Sequence, residues 1–378
     1  MMMSRNNQPQ EKDIRRIVVI DQTIREGMQY RGMMFSERER LKLIEYQEAL
    51  GVDISQSAYP SAHASEQGML GTLYREAVQK GYRLRMAGLG RALVKDARLI
   101  MDAGVNDIQL HLALDRERPG AGYSRLNEVI SFVRDRLQNA IIEVNILDLG
   151  RIDEEFLKKS TDVILTENRI DILTLPDTSG ILSPKRLSDR IGLLKRLVND
   201  SSCLLGVHCH NDLGMATANT ITGVESGASV VEVSALGIGE RNGIGDLFIV
   251  GSYLKKHGYR LNLKTENVEM FRRYYEYVDE LCYQQTGHRL LTYNTPFFGD
   301  AVHTHVAGTH GVAPFGSKDN EDFFLNVLCG KHLVKKYLDK NNIDFDEKKL
   351  PAIVSRIKEY SARKGRRVDL EEVKDLLV

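Results

Sequence analysis

The stretch "VHCHNDLG", Val207 to Gly214, spends two of the chain's 10 histidines one residue apart, behind an apolar run and ahead of Asn-Asp. Side chains alternate along a strand, so on a strand His208 and His210 face the same way. Two imidazoles side by side suit a divalent transition metal, and they also make a polar patch on any strand. Cys209 lies between them, faces the other way on a strand, and reads as a small buried hydrophobe rather than a ligand.

Eight short β-branched runs recur along the first two-thirds of the chain: "RIVVID" (16–21), "GVDIS" (51–55), "YRLRMA" (82–87), "DIQLHLAL" (107–114), "IIEVNIL" (141–147), "IDILTLP" (170–176), "LLGVHCH" (204–210) and "VVEVSAL" (230–236). Helical patterns separate them. "SERERLKLIEYQEAL" opens on a capping box, Ser36 and Glu39. "SPKRLSDRIGLLKRLV" opens with Ser183 as N-cap and Pro184 in the first turn. This alternation predicts an α/β fold, a (β/α)8 TIM barrel with a C-terminal, mostly helical extension. A doubly wound sheet is the alternative that periodicity leaves open. In a barrel the site lies where strands end. His208 and His210 end the seventh strand, "DQTIREGMQ" (21–29) the first, and "PDTSG" (176–180) the sixth, while "LGIGERNG" (236–243) follows the eighth. Polar residues thus gather at one rim.

Composition sets outer bounds. The 378 residues carry 52 Lys+Arg against 52 Asp+Glu, so no bulk charge points to nucleic acid or a membrane surface. Four cysteines without a CxxC spacing fit a reducing cytoplasm. No apolar run reaches membrane-spanning length. Residues 1–14 read as a disordered lead, 15–260 as the barrel domain, and 261–378 as a helical extension that includes the Gly- and His-rich "NTPFFGDAVHTHVAGTHGVAPFG" (294–316).

Six segments, in order, resemble the DRE-TIM metallolyase superfamily, which includes isopropylmalate, citramalate and homocitrate synthases and hydroxymethylglutaryl-CoA lyases. They are "DQTIREGMQ", "YPSAH" (59–63), "DTSGILSP" (177–184), "HCHNDLGMATANT", "HVAGTH" (305–310) and "CGKHLVKKYL" (329–338). The resemblance covers almost the whole chain and leans to the condensing branch, homocitrate synthase-like: Glu26 stands in the R-E-G triplet, and Ile244 stands where isopropylmalate synthases place an Asn ligand. Two departures stand out. The fifth strand has Asn145 and Leu147 where the condensing enzymes carry Ser and Glu, and "ALD" (113–115) replaces a Thr-Ser on the fourth. Both positions line the family's oxo-acid pocket.

The resemblance implies an acyltransferase of amino-acid biosynthesis, converting the acyl group to alkyl on transfer: acetyl-CoA condenses with a 2-oxo acid, and the thioester is then hydrolysed. A retro-aldol or acyl-CoA lyase on the same metal platform, or a non-catalytic relative, is the alternative. Glu26, His208 and His210 are the expected ligands of a divalent metal (Zn, Mn or Mg). Asp21 is a further possible ligand, read instead as a partner behind them. Arg25 is expected to stabilise developing negative charge on oxygen. Thr178, Gln29, Arg91 and Asn145 are the expected substrate-binding residues, with a rim salt bridge as the other reading of Arg91. His310 is the expected general base, ahead of His303 and His305, and reaches the site from the partner of a homodimer. The expected partners are small molecules alone.

Overall fold

β-Branched runs flanked by polar turns bury both faces when they pair in parallel, and that is how they are used here. The computed structural model describes residues 15–198, 201–305 and 322–377. Eight strands, β1 (Val18–Asp21), β2 (Ile54–Ala58), β3 (Arg85–Arg91), β4 (Asp107–Leu112), β5 (Ile142–Ile146), β6 (Ile172–Asp177), β7 (Leu204–Cys209) and β8 (Val230–Val233), run in sequence order around a closed barrel. β8 pairs in parallel with β1, Val18 opposite Val230 and Asp21 opposite Val233. That closure rules out the doubly wound sheet.

The helices begin where the caps place them. Ser36 and Glu39 form both halves of the capping box of helix Glu37–Leu50. Pro184 starts helix Pro184–Val198, and the Arg186 amide donates to Ser183 Oγ at 3.4 Å.

The lumen is layered. Ile20, Ile54, Ala87, Ile172 and Val230 form an apolar floor. Above it the inward positions turn polar and stay buried: Gln56, Gln109, Glu143, Thr174 and Glu232. Gly206 makes room for this layer, since a Cβ there would stand 2.1 Å from Thr174 Oγ1.

The compact units divide after Leu290 rather than near 260. The reason is helix Val268–Thr286, which buries Phe271, Tyr274, Tyr275, Val278 and Leu281 and packs on helix Glu37–Leu50. The second unit, from Leu291, has its own core, with Leu325, Leu333, Val334, Leu338, Ile353 and Ile357 at its centre. Its α-helices among the described residues are Lys331–Lys340, Leu350–Lys364 and Leu370–Asp375. No helix among the described residues is long and apolar enough to cross a membrane.

Candidate active site

The turn after β1 is built by Asp21. Its Oδ1 accepts from the Thr23 amide at 2.8 Å and the Thr23 hydroxyl at 2.5 Å, and its Oδ2 accepts from the Tyr274 hydroxyl at 2.9 Å. These bonds start the short helix Thr23–Gly27, which carries Arg25 and Glu26 into the barrel mouth. Asp21 therefore shapes the turn from behind. The loop after β8 is held in the same way. Tyr275 donates to Asp246 at 3.0 Å and accepts from the Phe248 amide at 2.8 Å. Thr23 Oγ1 accepts from the Ala235 amide at 2.8 Å, tying the two loops together. Gly243 has φ of +79°, and a Cβ there would lie 1.8 Å from the Gly237 carbonyl, so the turn of "GIGERNG" requires glycine.

Glu26, His208 and His210 are all buried, and one donor atom from each lies within 4.8 Å of the others. The two Nε2 atoms are 3.2 Å apart. Nitrogens sharing one ion at about 2.0–2.1 Å stand roughly 2.9–3.4 Å apart at octahedral to tetrahedral angles, so this spacing fits a common ion. Burial holds both imidazoles down at about 4, neutral at ordinary pH as ligation requires. Burial pushes the Glu26 carboxyl up, but Arg25, His208 and His210 outweigh it and hold the group at about 2. Arg25 is buried and donates to Glu26, Gln29, Gln56 and, at 3.1 Å, Gln22. The Glu240 amide donates to the other Glu26 oxygen at 3.2 Å. Two neutral imidazoles and one carboxylate thus form a donor set for a divalent cation with positions left for substrate.

Behind the histidines lies a buried acid layer. His208 and Glu232 are register partners, and His208 Nδ1 lies 2.9 Å from Glu232 Oε2. Nδ1 makes no hydrogen bond among the described residues, so this is a close pairing, with Nε2 on the side of His210. Burial raises Glu232 to about 7 against the pull of Arg25. Glu143 goes well above the ordinary carboxylate value through burial and its neighbour Glu232. It accepts from Gln109 at 2.6 Å and from Thr174.

These groups open into a cavity of about 220 Å³ at the C-terminal end of the strands. Gln29, Asn145 and Thr178 line it, together with His111, Leu147 and Glu240. Thr178 Oγ1 accepts from the Asp148 amide at 3.0 Å. Arg241 spans the rim from Asp212, at 2.7 and 2.9 Å, to the Thr178 carbonyl at 2.6 Å. A larger cavity of about 360 Å³ at the other barrel end pairs its own charges, Arg16 with Asp53 and Arg85 with Asp107, and contains none of the donor set.

Arg91 does not join the cavity, which corrects its placement among substrate-binding residues. Its side chain is 50% exposed and bidentate on Asp96 at 2.8 and 3.0 Å, the rim salt bridge. His310 lies outside the described residues. His303 and His305 belong to the second unit. His111 and Glu232 were missed from sequence. Their signal was present: an ionisable residue inside an apolar parallel strand must meet a partner or a cavity. Burial lowers His111 to about 3, with Arg25 and His208 adding to the effect.

A model of the HMGL-like family matches residues 16–274, from just before β1 to Tyr274. The chain belongs to the HMGL-like family. Among curated relatives of this HMGL-like protein, 2-isopropylmalate synthase of Sulfurisphaera tokodaii is 28% identical over 388 residues, covering 96% of this chain and 95% of that one. Homocitrate synthase AksA of Methanosarcina acetivorans is 26% identical over 380 residues, covering 96% and 90%. Among solved structures, the HMG-CoA lyase from Brucella melitensis superposes with a TM-score of 0.59 at 16% identity, over 71% of this chain and 99% of that chain. This last likeness is one of fold.

Proposed function

We propose that this HMGL-like protein condenses acetyl-CoA with a 2-oxo acid and then hydrolyses the thioester, releasing CoA and a 2-hydroxy acid. The observation that carries the reading is the convergence of Glu26, His208, His210 and Arg25 on one cavity. The synthase names of the relatives support it. Glu26, His208 and His210 hold a divalent cation, which when bound supplies Lewis acidity toward a ketone oxygen. Arg25, fixed by Gln22, Gln29 and Gln56, places a preorganised positive charge where the ketone oxygen gains electrons. Thr178 and Gln29 bind the carboxylate end of the oxo acid. The acetyl methyl loses a proton to a base and its carbon bonds to the ketone carbon; the C=O π pair moves onto the ketone oxygen, which takes up a proton to become the 2-hydroxy group. Water then adds to the thioester carbonyl, the C–S bond breaks, and CoA leaves as its thiol. His310 is the proposed base, on the strength of the resemblance alone, delivered by the partner of a homodimer.

The test is CoA release, followed with a thiol reagent over a panel of 2-oxo acids with metal present. Acetyl-CoA turnover that depends on an oxo acid supports condensation. Its absence, with acyl-CoA cleavage instead, would make the protein a lyase. The four cysteines are all buried and none lines the cavity, which leaves a thiol-assisted cleavage without its thiol. Mixing His310→Ala with Glu26→Ala subunits should restore activity if the base comes from the partner.

A further inference from the structure

We infer that the 2-oxo acid taken by this site is a monocarboxylate with an uncharged side chain, and that Leu147 sets that choice. The inference rests on the 2-oxo-acid reading above. In an eight-strand barrel, β4 and β5 stand across the mouth from β8 and β1. With the carboxylate and ketone of the substrate held at the Glu26, Arg25 and histidine end, its remaining carbons face the β4–β5 wall.

That wall is neutral. His111 and Asn145 are register partners on β4 and β5, and Leu147 follows β5. Asn145 is 1% exposed and lines the cavity, and its Nδ2 has no hydrogen-bond partner among the described residues. A buried amide N–H left unpaired is costly. A carboxylate or ketone oxygen, which every 2-oxo acid has, relieves that cost, so Asn145 serves binding of the whole class. Leu147 adds an apolar surface for an alkyl branch.

The remaining charges oppose a second carboxylate. Arg25 is the one Lys or Arg side chain among the described residues lining the cavity, and it is already held by Glu26 and three glutamines. Glu232 and Glu240 also line the cavity. A distal carboxylate against that wall would lose its water and find no free cation among the described residues. Arg91, the nearest candidate for that task in the sequence, is bound to Asp96 at the rim.

The test is calorimetric titration of the metal-loaded full chain with 2-oxobutyrate, 2-oxoisovalerate, oxaloacetate and 2-oxoglutarate, without acetyl-CoA. The expected result is binding of the uncharged pair at least about tenfold more tightly than the dicarboxylates, since a desolvated unpaired charge costs more than a missing methylene. Leu147→Arg should move the ratio toward oxaloacetate and 2-oxoglutarate, and Asn145→Ala should weaken all four. Equal or tighter binding of either dicarboxylate by the unmodified protein overturns the inference, as does failure of all four to bind. The titration reads selectivity and the CoA assay reads the reaction. Selective binding with no CoA release would therefore retire condensation and leave the specificity standing.

Discussion

On one side of the barrel mouth, β7, β8 and the turn after β1 bring Glu26, His208, His210, Arg25 and Glu232 within reach of one another, each buried. On the other side, β4 and β5 offer His111, Asn145 and Leu147, with no acid or guanidinium among them. The first side holds the stretches that resemble the superfamily's motifs, with Ile244 differing beside them; the second holds the two departures, on the fourth and fifth strands. Ion-binding geometry tolerates little change, because each donor must keep its distance and protonation state. On the proposed reading, a wall that meets the substrate's variable end can change its residues and keep the reaction, and the contrast separates what fixes the chemistry from what chooses the molecule.

The largest effect expected is on the metal side. Alanine at His208 or His210 should remove bound metal and activity together. Elemental analysis of the purified variants checks this, and full occupancy in both would undo the ligand assignment. Chelation of the unmodified protein should copy the loss, with recovery on adding back zinc, manganese or magnesium.

Arg25→Ala should keep its metal and lower kcat by about 10²–10³-fold, the usual effect of removing one donor to a developing oxyanion. Steady-state kinetics beside metal analysis separates this from ligand loss. Near-normal turnover would make Arg25 a structural partner of Glu26.

Glu232→Gln tests the layer behind the ligands. It keeps the shape, removes the carboxylate beside His208 Nδ1, and should weaken metal binding about 10–100-fold. Competition with a chelating indicator measures it. A shift in metal affinity is the sign of positioning; a change in melting temperature alone would mean packing.

The smallest effect concerns pH. Burial holds the imidazoles of His111, His208 and His210 below their ordinary 6.5, at about 3, 4 and 4. Between those values and 6.5 the unfolded chain binds more protons than the folded one, so stability falls as pH falls through that window. Glu232 and Asp246, raised to about 7 and about 6, oppose this slope, so the metal-free protein should lose melting temperature from pH 7 toward pH 5 less steeply than a Glu232→Gln variant. Saturating metal should keep the metal-side contribution and carry it below about pH 4, because ligated imidazoles stay unprotonated in the fold while those of the unfolded chain do not, and His111→Asn should remove the His111 share. A slope unchanged by His111→Asn would place that share elsewhere.

Much of this was legible in the chain. All eight β-branched runs became strands, because parallel strands buried on both faces read as apolar runs. Displacements came where the lumen is polar or crowded. "GVDIS" is followed by a strand running on through "ISQSA" to Ala58, since Gln56 faces the lumen network rather than an apolar core. The third strand shifts to Arg85–Arg91 around two glycines, and a Cβ at Gly88 would meet Ile100 and Leu70 at 2.8–2.9 Å. The shared face of His208 and His210 followed from strand periodicity alone. Glu143 and Glu232 stayed hidden because each is a single acid in an apolar run, and its partner lies on a neighbouring strand. The extent of the barrel unit was misjudged because helix Val268–Thr286 looks charged in sequence while its buried face carries tyrosines.

Those adjacent tyrosines bear on how the gene can be cut. Tyr274 reaches the carboxylate that shapes the β1 turn, and Tyr275 the one that anchors the β8 loop. One helix outside the eight repeats therefore fastens the two loops that flank the barrel's closing seam. A recombination or split-protein junction drawn at the end of the eighth repeat would keep every metal-donor residue and strand, and lose the fastener. The smallest transplantable module runs past the repeats to Leu290, where the compact unit ends. Chimeras joined there should inherit a set active-site mouth. Chimeras joined thirty residues earlier should inherit the same donor residues on two untethered loops.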